Sequence, residues 1–248
     1  ASTVGVAEIL PAYAGLLMER EIRNLGSLLE SPQKPFAAII GGAKVSDKIK
    51  VLDSLMERVD KMVIGGGMAN TFLVAQGYTV GKSLLEQDRV EDATRLMKMA
   101  EKKGVELLLP TDVLVAKEVT RGAEHKVVPV KKIPNSWSAV DIGPDSREAF
   151  EAALADCMTV VWNGPMGVFE VPTFGDGTRG MARMQADRVA AGASVVVGGG
   201  DSVAAIEELG LTSRVTHIST GGGASLEVLE GKELPGIKVL QDRTEAVA

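Results

Sequence analysis

Two lysines, Lys44 and Lys48, follow a glycine pair in the segment IIGGAKVSDK (residues 39–48). We predict that a helix follows GGA, and a spacing of four places both side chains on one face of its first turn. Two cations in a first helical turn oppose the helix macrodipole and repel each other, so the arrangement is favourable where an anion is bound. The alternative, two solvated surface lysines, stays open on local grounds. The pair is therefore a candidate anion site.

Glycine is concentrated at five places, each directly after an apolar segment. These places are IIGGAK (39–44), VIGGGMA (63–69), VVWNGPMG (160–167), VVVGGGDS (195–202) and ISTGGGAS (218–225). In a parallel sheet the carboxyl ends of the strands meet at one edge. Glycine lets a ligand approach the backbone there, and helix N-termini offer unpaired N–H groups. One such cluster only indicates a tight turn, but five favour a polyphosphate site.

Two acidic residues accompany the glycine segments. Asp201 follows three glycines, and a carboxylate beside phosphates is a natural Mg²⁺ ligand. The alternative for Asp201 is a helix N-cap. Glu170 could accept hydrogen bonds from a ribose, or it could be a solvated loop acid.

Other reactive residue types are scarce in this sequence. We expect His125 at the surface and His217 packed within a strand, and Cys157 is the single cysteine. The sequence therefore offers no nucleophilic triad, histidine-rich metal site, disulfide framework or thiolate cluster.

Standard nucleotide-binding fingerprints are also lacking. GGGMAN, GGGDSV and GGGASL do not fit the pattern GxGxxG, and residues 77–83 (GYTVGKS) are one residue short of a Walker A loop and follow a polar helix end. These departures argue against a hydride-transfer enzyme and against an ordinary P-loop ATPase.

The elements that must position these residues alternate between short strands and amphipathic helices. Candidate strands are Phe36–Ile40, Lys61–Ile64, Val105–Leu109, Val113–Ala116, Lys126–Val130, Met158–Trp162, Ser194–Val197 and Val215–Ser219. Apolar strands separated by helices predict a parallel sheet covered on both faces. We predict a single α/β domain with a doubly wound, Rossmann-like sheet. Residues 120–141 are the least regular part and predict an extended connection or a short β excursion.

Composition narrows the function classes. The 248 residues are 45% hydrophobic and carry a formal net charge of −6, which argues against nucleic acid as a partner. No stretch approaches about 18 unbroken apolar residues, so no membrane association is expected. The chain has neither an initial Met nor a secretory leader pattern, so we expect a processed chain or a piece of a longer one.

Several blocks together resemble phosphoglycerate kinase. They are FAAIIGGAKVSDKI, MVIGGGMANTFL, DIGP, VVWNGPMGVFE, VVVGGGDS and HISTGGGASLEVLEGK, and they occur in the family's order. The resemblance runs from about Pro11 to Pro235 and covers the family's C-terminal, nucleotide-binding half. It implies that residues 1–11 are the remnant of a linker from a missing N-terminal domain and that 12–30 form the interdomain helix. Residues 34–230 would be the nucleotide-binding domain, and 231–248 would return toward the missing domain.

The resemblance also implies roles for individual residues. Catalytic roles would fall to Lys48, Gly222 and Gly223, and Asp201 would be the metal ligand. Nucleotide-binding residues would be Lys44, Lys48, Gly66, Gly67, Ala139, Asn163, Gly164, Met166, Glu170, Gly199, Gly200, Asp201 and Ser202. Ala139, in WSAVD, replaces a glycine that many members have beside the adenine, so its methyl group would narrow that pocket slightly.

The implied reaction is reversible phosphoryl transfer between ATP and the carboxylate of 3-phosphoglycerate, with Mg²⁺ as cofactor and 1,3-bisphosphoglycerate as product. An ionised carboxylate nucleophile needs no general base, so catalysis would come from positioning and charge stabilisation. The family's catalytic arginine and most of the acceptor site would lie in the missing domain. A cytoplasmic monomer is expected, with a plastid as the alternative location. Two rival functions stay open: an inert Mg-nucleotide-binding module, and a different Rossmann-type enzyme.

Overall fold

The computed structural model describes residues 1–241, which contain nine strands and ten α-helices. The strands are β1 (Phe36–Ile40), β2 (Lys61–Ile64), β3 (Glu106–Leu108), β4 (Asp112–Ala116), β5 (His125–Pro129), β6 (Ser138–Ile142), β7 (Thr159–Asn163), β8 (Ser194–Gly198) and β9 (His217–Ile218). The helices are α1 (Val4–Ala7), α2 (Leu16–Glu30), α3 (Ile49–Met56), α4 (Met68–Ala75), α5 (Val90–Lys103), α6 (Pro144–Leu154), α7 (Asp176–Ala190), α8 (Gly200–Glu208), α9 (Gly223–Leu229) and α10 (Pro235–Lys238).

Six strands form a parallel sheet in the order β3-β2-β1-β7-β8-β9. The chain builds outward from β1 on one side and from β7 on the other, so the direction of winding reverses between these two strands. At their carboxyl ends, Ile40 lies opposite both Ile64 and Asn163. Such a reversal opens a crevice in which ligands of doubly wound folds bind.

Both faces of this sheet are buried. In β1, Phe36, Ala38 and Ile40 pack in a core with residues of α2, α3, α4, α5 and α9. The intervening Ala37 and Ile39 pack with residues of α6, α7 and α8 on the opposite face. Because alternate side chains of a strand point to opposite faces, an entirely apolar strand needs a helical layer on each side. The predicted doubly wound, single-domain α/β fold is confirmed.

The strands predicted at Val113–Ala116 and Lys126–Val130 exist within a residue or two, but they lie outside the parallel sheet. Strands β4 and β5 join β6 in a separate antiparallel sheet with the order β5-β4-β6. No α-helix intervenes between these strands in the structure, so they can pair as antiparallel neighbours. The short β excursion expected within 120–141 is therefore correct, and β6 is the strand that the sequence did not identify.

The expected interdomain helix starts later than predicted. It was expected over 12–30, but α2 begins at Leu16, after a segment without regular secondary structure that contains Pro11. In the C-terminal segment, the Gln241 N–H donates to the Ala12 carbonyl at 2.8 Å. The remainder of the predicted 231–248 segment, residues 242–248, lies outside the described residues. Within residues 1–241, no helix combines the length and the apolar character that a membrane crossing needs.

Candidate nucleotide site

A cavity of about 430 Å³ lies between the antiparallel sheet and the carboxyl ends of β1, β2 and β7. Its wall is a mixture of apolar side chains and glycine backbone, a composition that suits a planar aromatic ring. The residues predicted to bind nucleotide that line it are Gly66, Gly67, Ala139, Met166, Glu170 and Asp201. The structure therefore brings together residues from four separate sequence blocks.

Three glycine turns contact one another beside this cavity. The Gly41 N–H donates to the Asn163 carbonyl at 2.9 Å, and the Gly66 N–H donates to the Met166 carbonyl at 3.0 Å. A Cβ built on Gly164 would lie 2.4 Å from the Gly41 carbonyl oxygen, and Gly66 has a φ of +67°. Contact between turns therefore requires glycine at 66 and 164 even without a ligand. Here the tight-turn explanation applies, and the binding explanation stays a prediction.

The helix on which Lys44 and Lys48 were expected to share a face begins only at Ile49, so that prediction is wrong. Lys48 occupies the N-cap position of α3, and Lys44 lies in the preceding turn with an exposed side chain. The late start of α3 is explained by a carboxylate that is distant in the sequence. Glu86 accepts hydrogen bonds from the Ser46 N–H at 3.0 Å and from the Ser46 hydroxyl at 2.5 Å, which stabilises a non-helical turn.

Lys48 points into the glycine turns. Its ammonium donates to the Gly41 carbonyl at 2.8 Å, the Asn163 carbonyl at 3.1 Å and the Asn163 Oδ1 at 2.6 Å. All three acceptors are neutral oxygens. Burial lowers the pKa of Lys48 to about 8, although the negative charges of Asp47 and Asp201 act in the opposite direction. A cation held by neutral dipoles retains a strong attraction for an additional anion.

Asn163 and its neighbours connect this lysine to the next glycine turn. Asn163 is buried at the end of β7, and the Gly164 N–H donates to the Ser202 hydroxyl oxygen at 2.7 Å. Ser202 is itself completely buried in the first turn of α8. A Cβ built on Gly199 would lie 3.3 Å from the Asn163 Nδ2. Ser202 thus fixes the geometry of the turn, and its direct contact with phosphate stays a prediction.

Asp201 and Glu170 are the exposed acidic residues of the cavity wall. Asp201 lies in the first turn of α8, directly after Gly200. No cluster of three His, Cys, Asp or Glu side chains suited to a metal occurs within residues 1–241. A single carboxylate nevertheless fits Mg²⁺ that arrives on a nucleotide, because phosphate and water oxygens supply most of its ligands.

Gly222 and Gly223 are at the amino end of α9, where Gly222 has a φ of +52°. A Cβ built on either glycine would meet nothing within 4 Å. The structure therefore places them at an open turn on the same sheet edge, and they are not part of the cavity wall.

The Walker-like segment GYTVGKS is hydrogen-bonded within the protein, and its Lys82 lines the cavity. The Lys82 N–H donates to the Trp137 carbonyl at 2.8 Å, and the Ser83 N–H donates to the Val80 carbonyl at 3.0 Å. The Ser83 hydroxyl accepts the Ala139 N–H at 2.8 Å. Because these N–H groups are paired within the protein, they are not available for phosphate binding. The segment instead attaches the loop after α4 to β6.

Sequence reasoning overlooked two buried carboxylates near this edge. Asp141 in β6 is 5% exposed and lines the cavity. Glu21 in α2 is 9% exposed and meets the segment after β9. The available signal was a lone acidic residue between Val140 and Ile142, and another within the apolar stripe of α2. Acidic residues are rarely buried without partners, so such positions indicate a polar contact.

Comparison with known proteins gives a consistent result. The sequence model of the family described as phosphoglycerate kinase matches residues 1–232. The chain is 55% identical over 243 residues to the phosphoglycerate kinase of Moorella thermoacetica, covering 98% of this chain and 61% of that protein. It is 54% identical, with the same two coverages, to a relative from Nicotiana tabacum named cytosolic phosphoglycerate kinase.

Solved structures agree with the sequence relatives. Phosphoglycerate kinase from Coxiella burnetii superposes with a TM-score of 0.92 at 44% identity, over all of this chain and 62% of that one. The enzyme from Pyrococcus horikoshii gives a TM-score of 0.83 at 33% identity, over 97% of this chain and 60% of that one. The chain thus spans about three fifths of the length of these relatives.

Proposed function

The chain belongs to the phosphoglycerate kinase family, and we propose that it supplies the Mg-nucleotide half of a site that transfers a phosphoryl group reversibly between ATP and the carboxylate of 3-phosphoglycerate. One observation carries this proposal: the partly apolar cavity opens beside the glycine turns that hold the Lys48 ammonium. The cavity suits an adenine ring, and the lysine suits the phosphates at its end.

Lys48 has the strongest physical case for a catalytic role. Its hydrogen bonds go to neutral oxygens, so its charge is free to stabilise the negative charge on a transferring phosphoryl group. The acceptor carboxylate is already ionised at neutral pH, so the reaction needs no general base. Gly222 and Gly223 would add the N–H groups of α9, and exposed Lys44 would contact the nucleotide phosphates.

Mg²⁺ would arrive bound to the nucleotide, with Asp201 as its protein ligand, and it would neutralise phosphate charge. Glu170 would accept hydrogen bonds from the ribose, and Gly66, Gly67, Ala139 and Met166 would surround the adenine. The remaining predicted contacts, through Asn163, Gly164, Gly199, Gly200 and Ser202, would lie along the phosphates.

The acceptor, 3-phosphoglycerate or 1,3-bisphosphoglycerate, would be bound mainly by an N-terminal domain corresponding to the part of the relatives that this chain does not span. Exposed apolar side chains near the start of the chain support this arrangement. Ile9 and Leu16 are 82% and 83% exposed, and Leu10 and Leu17 are also exposed. We propose that this surface and α2 contact that domain. The 248-residue chain alone would then bind nucleotide without phosphorylating 3-phosphoglycerate. In isolation it would be an inert Mg-nucleotide-binding module, which is the second candidate function.

We further propose a cytoplasmic monomer that interacts with neither nucleic acid nor membranes, with a plastid as the alternative location. The tobacco relative is named cytosolic phosphoglycerate kinase, which supports the first location. Subcellular fractionation with an antibody against this chain distinguishes the two compartments.

Titration calorimetry with Mg-ADP tests the nucleotide site. We expect saturable 1:1 binding to the 248-residue chain, and at least tenfold weaker binding by Ala139→Leu, which places a larger side chain in the cavity wall. Ala191→Leu is the matched control, because Ala191 is exposed after α7 and is not part of the cavity wall. A folded chain that does not bind Mg-ADP would refute the proposal. A coupled assay with and without the separate N-terminal domain then distinguishes the half-site from an inert module.

A further inference from the structure

The carboxylate of Glu86 contacts the lysine turn (residues 41–48), which carries Lys44 and Lys48. Its Oε2 accepts the Ser46 N–H at 3.0 Å, and its Oε1 accepts the Ser46 hydroxyl at 2.5 Å. Ser46 lies midway between the two lysines in the sequence, and α3 begins only after Lys48. One carboxylate therefore holds the backbone between the two lysines that the proposed function assigns to the phosphates.

The two ends of the lysine turn are attached to the glycine turns beside the cavity. Near its start, the Gly42 N–H donates to the Pro165 carbonyl at 2.9 Å. At its end, the ammonium of Lys48 is held by the glycine turns. Between these two points, Lys44 and Ser46 are exposed. Exposed polar turns are ordinarily mobile, so two hydrogen bonds at the midpoint restrict the positions that the Lys44 backbone can take.

The segment that carries Glu86 is anchored on helix α4. The Glu86 N–H donates to the Thr71 hydroxyl oxygen at 3.4 Å, and the Asn70 Nδ2 donates to the Leu84 carbonyl at 3.0 Å. Asn70 and Thr71 are 3% and 1% exposed, so the helix offers a fixed support. Asn70 and Leu84 also line the cavity. The carboxylate that contacts the lysine turn therefore extends from the wall of the cavity itself.

We propose that Glu86 is a positioning residue for the phosphates of the nucleotide: its hydrogen bonds to Ser46 hold the lysine turn in the conformation from which Lys44 and Lys48 reach the phosphates. This inference rests on the proposed function of the cavity. A turn that is already ordered loses less conformational entropy when the ligand binds. Because Glu86 acts on the lysines and not on the base, its contribution should increase with the number of phosphates on the ligand.

The charge of Glu86, taken by itself, predicts the opposite effect on binding. Burial acts to raise the pKa of Glu86, but the hydrogen bonds from Ser46 and the charge of Lys44 leave this pKa below its usual value, so the carboxylate is ionised at neutral pH. A negative charge close to Lys44 repels a polyphosphate, so its removal alone should strengthen binding. The hydrogen bonds and the charge therefore have effects of opposite sign, and substitutions can separate them.

The test compares the binding of AMP and ATP to the 248-residue chain, in excess Mg²⁺, by titration calorimetry. For Glu86→Ala, which removes both hydrogen bonds to Ser46, we expect the dissociation constant to rise about tenfold for ATP and less than about twofold for AMP. Glu86→Gln keeps an oxygen that can accept the Ser46 N–H and gains an amide that can donate to the Ser46 hydroxyl, so its ATP affinity should equal or exceed that of the parent. Glu91→Ala removes the same charge from an exposed position on α5 and should change neither dissociation constant.

Ser46→Ala removes the hydroxyl from the same contact and leaves Glu86 in place, so the test does not depend on the folding of Glu86→Ala. We expect it to bind ATP about threefold more weakly, with AMP binding unchanged. If the parent binds both nucleotides but neither alanine substitution changes the ratio of the two dissociation constants, or if Glu86→Gln weakens ATP binding as much as Glu86→Ala does, the role of Glu86 is wrong and the nucleotide site stands. If the parent binds neither AMP nor ATP, the proposed function and this inference both fail.

Discussion

Two buried carboxylates, Glu21 and Asp141, differ in how far hydrogen bonds offset the effect of burial on their pKa. Oε2 of Glu21 lies 3.0 Å from His217 Nε2 and accepts the Ser219 hydroxyl at 2.9 Å, while Oε1 accepts the Thr220 N–H at 2.7 Å and the Thr220 hydroxyl at 2.9 Å. Burial alone would raise the pKa of Glu21, but these hydrogen bonds outweigh it and leave the pKa below its usual value. Asp141 has two backbone donors, and burial dominates.

The difference separates a structural junction from a candidate site. Glu21 joins α2 to the segment after β9, and its polar partners are all supplied by the protein. Burial shifts the pKa of Lys48, beside the candidate cavity, and of Asp141, in its wall, toward the neutral form. Groups whose charge lacks full compensation within the protein are typical of binding and catalytic sites. The following four predictions test this contrast.

The largest effect is expected at the junction. Glu21→Gln keeps the side-chain length but has one acceptor oxygen instead of two, so buried donors lose their partner. We expect the free energy of unfolding to fall by about 3–5 kcal/mol in urea denaturation. Glu19→Gln is the matched control on the same helix: its exposed ion pair with Arg23 contributes at most about 1 kcal/mol. Equal effects of the two substitutions would contradict the assigned role of Glu21.

The substitution Lys48→Ala tests whether the lysine has a catalytic or a structural role. In a two-domain enzyme that carries this chain, we expect kcat to fall by a factor corresponding to roughly 2–4 kcal/mol, with a much smaller change in ADP affinity. Steady-state kinetics and calorimetry measure the two quantities. Lys50→Ala, an exposed lysine two residues away, should change neither. If kcat of Lys48→Ala stays within about threefold of the parent, Lys48 has no catalytic role.

The pH dependence of stability distinguishes the carboxylates by sign. The pKa of Asp141 is raised from 3.8 to about 7, so its contribution to folding is fully present below pH 3.8 and is lost as the pH rises through 7. The pKa of Glu21 is lowered, so its contribution is present above pH 4.5 and is lost at more acidic pH. Between pH 5 and 8, the parent should therefore lose about 2–3 kcal/mol relative to Asp141→Asn in urea denaturation. If the free energies of unfolding of the parent and of Asp141→Asn change with pH in parallel, burial does not shift the pKa of Asp141.

The smallest effect is expected from Thr220→Val, which removes one hydroxyl from Glu21 but keeps the backbone N–H that donates to the same oxygen. We expect a loss of about 1 kcal/mol in the free energy of unfolding. Thr212→Val, outside the Glu21 network, is the control. A loss as large as that of Glu21→Gln would mean that the network depends on this hydroxyl rather than on the carboxylate.

Local sequence patterns predicted much of the fold. Strands β1 and β2 match their predicted bounds, because β1 is apolar and buried throughout and β2 is apolar and buried after Lys61. Helix α5 ends at Gly104, whose left-handed φ of +71° is a conformation that glycine adopts readily at a helix end. The error at Lys44 and Lys48 arose from Glu86, a residue about 40 positions away, whose hydrogen bonds to Ser46 delay the start of α3.

The sequence by itself determined the alternation of strands and helices and the order of glycine turns, because hydrophobic periodicity and glycine act over a few residues. It also placed Asp201 at the start of its helix. Only the tertiary structure decided which distant groups meet. Glu21 and His217 are separated by 196 positions, and Asp141 and Gly177 by 36. The physical reason is that burial and hydrogen bonding, which set the pKa of a carboxylate, depend on atoms brought together by packing and not on sequence neighbours.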